Sequence, residues 1–301
     1  MTKMELDAPL DNGLIKHLAS LRERIERRLD ELLPTDGGER DLVTLAMRES
    51  TLALGKRVRP MLLMLAAEGL GHCDSPSLEL GCAVEMIHAA SLVLDDMPCM
   101  DDAQLRRGRP TVHLTFGQDV AILAAVALLS RAFGVVAAID DVSPVVRTRI
   151  VQIMANAVGM QGLVRGQYQD LREGQHSRSA EEIALTNRLK TGVLFGAIMD
   201  MAWLISDADD RARVALQGFA TELGHAFQLY DDLQDNAVDN AKDQGKDQGE
   251  STLVSLYGEQ KVAEQFNAHL RSAEDYLLQA YGSTQTISDY LRLIFLKAAR
   301  P

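Results

Sequence analysis

Apolar residues recur every three or four positions through 14–33, 42–54, 61–70, 78–94, 120–139, 145–164, 183–205, 214–229 and 262–281. That period is the spacing of one face of an α-helix, and no β-type alternation of comparable length competes with it. The breaks are legible as turn-forming clusters: Pro34-Thr35-Asp36-Gly37-Gly38, Gly71-His72-Cys73-Asp74-Ser75-Pro76, Asp140-Asp141-Val142-Ser143-Pro144 and Ser206-Asp207-Ala208-Asp209-Asp210. The pattern predicts an all-α bundle of roughly ten helices, read as one domain over residues 1–301. With 47% hydrophobic residues and only 8 prolines, the chain can bury a large core. The stretches 78–94 and 120–138 are apolar over most of their circumference and should be central.

Two apolar helices run directly into acids. Leu94 is followed by Asp95-Asp96-Met97-Pro98-Cys99-Met100-Asp101-Asp102, and Tyr230 by Asp231-Asp232-Leu233-Gln234-Asp235. Crowding carboxylates at the end of a greasy helix costs several kcal/mol per uncompensated charge, so a fold that keeps two such clusters has cations to bind there. Hard oxygen ligands without His or Cys suit Mg²⁺, which a few carboxylates hold while a substrate phosphate fills the remaining positions. On a helix Asp231 and Asp235 lie about one turn apart on one face. In the first cluster Pro98 removes a backbone donor, so a bent chain is expected to bring Asp95 and Asp101 together. A solvated acidic helix end would explain either cluster alone; two clusters with matching apolar approaches favour the metal.

The cationic segments complete the argument. Gly55-Lys56-Arg57-Val58-Arg59-Pro60 and Arg106-Arg107-Gly108-Arg109-Pro110 are short and bounded by glycine and proline. Arginine grips phosphate oxygens in a bidentate fork, and lysine acts as a point charge. Acids beside arginines make sense if metal ions bridge one diphosphate while bare cations hold another. Lys190-Thr191-Gly192 places a charge and a glycine inside an apolar helix, where packing would prefer neither. His88 lies seven residues before Asp95, on nearly the same helix face; His17, His72, His113, His176, His225 and His269 show no ligand spacing and read as structural or surface residues.

Other chemistries are disfavoured. No nucleophile elbow or P-loop occurs. A net charge of -12 argues against a nucleic-acid partner. Cys73, Cys82 and Cys99 have neither zinc-ligand nor redox spacing, which fits a reducing compartment. Residues 1–10 carry acids rather than a secretory signal, and no uninterrupted run of about 18 apolar residues is read, so the expectation is a cytoplasmic protein with no membrane span.

Taken together, these residues resemble the trans-prenyltransferases, the isoprenyl diphosphate synthases, and most of all the bacterial carotenoid-pathway geranylgeranyl diphosphate synthases. The resemblance runs from Gly55-Lys56 to Ser251-Thr252-Leu253. It rests on Gly-Lys-x-x-Arg-Pro, the Asp-Asp-x-x-x-x-Asp motif followed by Leu105-Arg106-Arg107-Gly108, Gly166-Gln167 with Asp170, Lys190-Thr191, Phe227-Gln228, and the second aspartate cluster. It implies an isoprenoid-synthase-type bundle around a central cavity, and a homodimer. It also implies three Mg²⁺ ions on Asp95, Asp101 and Asp231, with Asp96, Asp232 and Asp235 close by. Arg106, Lys190, Thr191, Gln228 and Lys242 would bind the allylic diphosphate; Lys56, Arg59, His88 and Arg107 would hold isopentenyl diphosphate. The implied reaction is ionisation, condensation and elimination, with no protein nucleophile.

The sequence departs from the family where Ala241 replaces a glycine before Lys242 and where Glu250 replaces a lysine. Product length is expected to depend on Ala90 and Ser91, five and four residues before Asp95 and about one turn deeper, where a growing tail would run. Small residues there let the tail reach twenty carbons. The alternatives are a farnesyl or longer-chain synthase, or a non-catalytic regulatory subunit of a prenyltransferase, which would be expected to have lost an aspartate cluster.

Overall fold

The computed structural model describes residues 11–35, 38, 40–72, 75–173, 182, 185–186, 188–235, 253–282 and 286–296, with the backbone alone for Thr191, Asp235 and Leu296. Lys242, Ala241, Glu250, Cys73 and His176 lie outside the described residues. The chain forms α1 (Asn12–Leu32), α2 (Leu42–Leu52), α3 (Val58–Gly69), α4 (Ser75–Asp95), a hairpin of β1 (Leu105–Arg106) and β2 (Arg109–Pro110), α5 (Val112–Phe116), α6 (Gln118–Ala137), α7 (Pro144–Val158) and α8 (Leu163–Glu173). A π-helical turn, Arg188–Gly192, leads into α9 (Val193–Leu204), followed by α10 (Asp210–Asp235), α11 (Leu253–Tyr257), α12 (Glu259–Tyr281) and α13 (Thr286–Leu296). The all-α expectation holds, the two-residue strands of the hairpin being the sole β-structure among the described residues.

The helix count exceeds ten for local reasons. Helices α5 and α11 are single short turns, and the expected helix over 145–164 is cut after Val158. Gly162 turns the chain so tightly that a Cβ there would stand 2.0 Å from the Ala157 carbonyl oxygen, a contact open only to glycine. The expected helix over 183–205 is interrupted by the π turn, and the expected helix over 214–229 runs on through Asp235, so the second aspartate cluster is helical.

Helix α4 is central. Leu80 through Ile87, with Ala89 and Ala90, are all buried, so it has no solvent face along this stretch. It packs against α6, α3 and α1, while α10 packs against α12 and α9. Helix α9, apolar except at Asp200, joins the two groups by contacting α3, α4, α7 and α10. The two aspartate helices are therefore flanked and aligned by α9 rather than packed on each other. Both α4 and α6 are long and apolar enough to cross a membrane by length and composition alone, contrary to the expectation from run length. Of the most apolar 18-residue stretch of α4, 67% is buried, which marks a core helix; the corresponding stretch of α6 is 44% buried and leaves Ile122, Leu123 and Val126 exposed.

Candidate active site

Helix α4 delivers Asp95 at its last turn, and the chain then curls back on itself. The backbone N–H of Asp101 donates to the carbonyl of Asp95 (2.9 Å), and that of Asp102 to Met97 (3.0 Å). Pro98 thus produces the expected bend. Asp95 is half-buried, and burial, reinforced by the neighbouring Asp101 and Asp96 charges, pushes its carboxyl up to about 6 despite Lys190 and Arg106 nearby. Asp101 is raised in the same direction and for the same leading cause. Burial thus outweighs the pull of Lys190 and Arg106 on both carboxyls, and a bound cation would offset that cost.

The hairpin sorts the arginines. Arg107 (φ 54°) and Gly108 (φ 76°) form its tip, both in the left-handed region that a tight two-residue turn between right-twisted strands requires. The turn sends successive side chains to opposite places. Arg106 Nε donates to Asp96 (2.9 Å), which is buried, while Arg107 Nη1 donates to the carbonyl of Leu54 (3.0 Å). Gly55 makes room for it; a Cβ there would lie 2.5 Å from Arg107 Nη1.

The second cluster repeats the logic of the first. Asp232 is buried, accepting from Gln228 Nε2 (2.8 Å) and from the backbone N–H of Leu253 (3.1 Å), so it ties α10 to the start of α11. Asp231 is exposed. In each Asp-Asp pair, then, the second carboxylate is tied into the protein and the first is left nearer the opening.

Beside the first cluster stands Lys190. Its Nζ donates to Asp170 (2.8 Å), and Asp170, Asp95 and Asp101 together hold its ammonium above its ordinary pKa despite burial. The π turn that presents it depends on close backbone approach. A Cβ on Gly166 of α8 would come within 2.7 Å of the backbone nitrogen of Lys190, and one on Gly224 of α10 within 3.0 Å of Gly192 Cα. A π turn wedged between two glycine-bearing helices is the physical account of a charge and a glycine in an apolar segment, and such turns recur at functional sites.

The expected isopentenyl set also converges. Arg59 Nη1 donates to His88 Nε2 (3.3 Å), and the guanidinium lies over the Phe195 ring at 5.4 Å. A guanidinium can only donate, so His88 accepts as a neutral imidazole; burial, then Arg59, Arg107 and Arg106, accordingly hold its pKa well below the usual value. Lys56 Nζ sits 5.5 Å over the Tyr230 ring, adjacent to Asp231. Among the described residues no carboxylate pairs with Lys56, Arg59 or Arg107, and burial beside Arg107 holds Arg59 below its ordinary pKa. Arg57 is different. It is buried, caps α3 at φ 52°, and donates to Glu85 (2.8 Å) and to the Ala53 carbonyl (2.9 Å).

Sequence reading assigned nothing to Glu85, Gln167, Phe195 or Tyr230. Both amide atoms of Gln167 are buried without a hydrogen-bond partner, one residue after the Gly166 contact with Lys190. Its place after Gly166 was the available signal. Ala90 is fully buried, and the hydroxyl of Ser91 donates to the carbonyl of His88 (2.9 Å). A separate cavity of about 350 Å³ between α7, α9 and α10 is lined by none of the candidate residues, so size alone does not identify the site.

The comparisons agree with this geometry. Residues 40–299 match the polyprenyl synthetase family. The chain is 56% identical over 258 residues to the geranylgeranyl diphosphate synthase of Pantoea ananas, covering 85% of each chain. It is 44% identical over 282 residues to that of Pseudescherichia vulneris, covering 93% of this chain and 92% of the relative. The fold is similar to a crystal structure of a Zymomonas mobilis FPP/GFPP synthase, with TM-score 0.81 and 32% identity over 94% of this chain and 97% of that one. Family match, relatives and fold converge: the chain belongs to the polyprenyl synthetase family.

Proposed function

We propose that this protein is a geranylgeranyl diphosphate synthase, a prenyltransferase that condenses isopentenyl diphosphate head to tail with dimethylallyl, geranyl or farnesyl diphosphate. The observation that carries the reading is the pairing of two carboxylate clusters with the cations Lys56, Arg59 and Arg107, none of which forms an ion pair with a carboxylate among the described residues. Asp95, Asp101 and Asp231 are the ligands that would hold Mg²⁺, three ions in this reading, with Asp96, Asp232 and Asp235 assigned to the same clusters. The donor set is all carboxylate, and the elevated Asp95 carboxyl fits a site completed by cations. Bound Mg²⁺ supplies charge stabilisation for the departing diphosphate.

The chain's own groups do the rest. Lys190, held charged by Asp170, and Arg106, oriented by Asp96, point positive charge at the allylic diphosphate, with Thr191, Gln228 and Lys242 assigned beside them. Lys56, Arg59, His88 and Arg107 grip isopentenyl diphosphate so that its double bond faces the allylic carbon. The allylic C–O bond breaks, the double bond attacks the cation, and a proton lost to the departed diphosphate restores the alkene. Buried apolar walls from α4 and α9 keep water from the cation. Ala90 and Ser91 set the length of tail the pocket admits.

We further read the enzyme as one domain over residues 1–301, cytoplasmic, supplying carotenoid synthesis, and working as a homodimer through the exposed Ile122, Leu123 and Val126 of α6. Cys82 and Cys99 are free thiols, which suits a reducing compartment.

The test is product analysis from isopentenyl and farnesyl diphosphates with and without Mg²⁺. A metal-dependent twenty-carbon product is expected, and Ala90→Tyr should shorten the products made from dimethylallyl diphosphate. Absence of condensation with any allylic primer would overturn the enzyme reading. An unchanged product in Ala90→Tyr would overturn the pocket assignment alone.

A further inference from the structure

On α10, Glu222 and His225 are three residues apart and therefore share a helix face, and His269 of α12 meets them there. The three side chains offer ligand atoms that all lie within 4.8 Å of one another. His269 Nδ1 lies 2.7 Å from Glu222 Oε2, the two imidazole centroids are 4.9 Å apart, and the buried Nδ1 of His225 has no hydrogen-bond partner. A Glu-x-x-His pair on one helix with a third ligand from its neighbour is an arrangement by which helical bundles hold metals. Bonds of about 2.0–2.2 Å in tetrahedral geometry separate ligand atoms by about 3.4 Å, so small rotations of these side chains suffice. All three residues are partly exposed, and His225 also lines the cavity between α7, α9 and α10, which gives an ion and a completing water a route in.

We propose that Glu222, His225 and His269 form a binding site for a first-row transition metal, with Zn²⁺ as the fitting ion, that pins α10 to α12. Two imidazoles with one carboxylate select such an ion over Mg²⁺, which prefers oxygen alone. His225 stands six residues before Asp231, about 9 Å along the helix, so the site is distinct from the aspartate cluster. It is independent of the proposed function, and its effect is on the stiffness of the helix that carries Asp231.

The test is a titration of the full-length protein with Co²⁺ in excess Mg²⁺ and inorganic diphosphate, added to compete at the aspartate clusters, followed by visible absorption and displacement with Zn²⁺. One Co²⁺ per chain is expected, with the intense bands of a site of fewer than six ligands, lost on adding Zn²⁺. His225→Ala and His269→Ala should each weaken binding at least tenfold while retaining activity with Mg²⁺. Should either fail to fold, Glu222→Gln, which preserves size, is expected to weaken binding by the same route. Equal affinity in the variants, no binding at all, or Co²⁺ absorption removed only by Asp231→Asn would overturn the proposal and leave a plain His269–Glu222 ion pair.

Discussion

A carboxyl pushed up to about 6, as Asp95 is, ionises at neutral pH against the preference of its surroundings. From about pH 4 to 6 the unfolded chain has released this proton while the folded chain keeps it, so the metal-free protein loses stability as pH rises through that window. Asp95→Asn should therefore stabilise the metal-free protein at pH 7 by about 1–3 kcal/mol and flatten this part of its stability profile. The same change should cut condensation on the order of 10²-fold or more. For the parent, Mg²⁺ affinity should fall as pH drops below about 6, because protons compete for the ligand. Thermal melts and Mg²⁺ titrations across pH check both; an unchanged pH profile in Asp95→Asn would move the strain to another group. Arg57 and Arg59 provide a contrast within one segment. Arg57→Ala leaves Glu85 buried without its partner and should destabilise by about 3–5 kcal/mol. Arg59→Ala should instead raise KM for isopentenyl diphosphate with a much smaller loss of stability. Melts combined with steady-state kinetics separate the two, and a reversal would exchange their roles.

The π turn shows how an element can be set by its neighbours. Helical spacing through 183–205 predicts an unbroken helix; contact with Gly166 on one side and Gly224 on the other accompanies the widened turn that presents Lys190. Gly166→Ala should destabilise by about 1–3 kcal/mol through overpacking and lower kcat by displacing Lys190. Gly134→Ala on α6, where a Cβ meets nothing within 4 Å, is the control and should be neutral or stabilising by about 0.4–1 kcal/mol. Equal effects of the two substitutions would show that the close approach is not what shapes the turn. The hairpin was likewise present in the sequence as Arg107-Gly108, yet its reading there was only as a cationic segment. The left-handed turn decides that Arg106 and Arg107 part company.

For the whole molecule, the exposed stripe Ile122, Leu123 and Val126 lies on a helix whose opposite face, including Ala121, Ala124, Ala125 and Leu128, is built into the core. Apolar side chains this large on one face of α6 are expected to be covered by a second copy. Replacing Leu123 and Val126 with glutamate should convert the proposed dimer to monomer in analytical ultracentrifugation without unfolding it, since neither side chain is buried in the protomer. A dimer that survives both charges would place the interface elsewhere.

The sequence by itself determined the helical class, the breaks, the acid clusters and the cationic segments, because apolar period and turn chemistry are local and the motif residues stand close together in the chain. It also carried the expectation that Pro98 bends the chain and brings Asp95 to Asp101. Only the tertiary structure decided which member of each Asp-Asp pair is spent internally, since Arg106 and Leu253 reach Asp96 and Asp232 through folds of the backbone. It alone distinguished the structural Arg57 from Arg59, and it brought His269 to His225 across forty-four positions of sequence. Burial and pairing are properties of residues distant in the chain, and no local spacing encodes them.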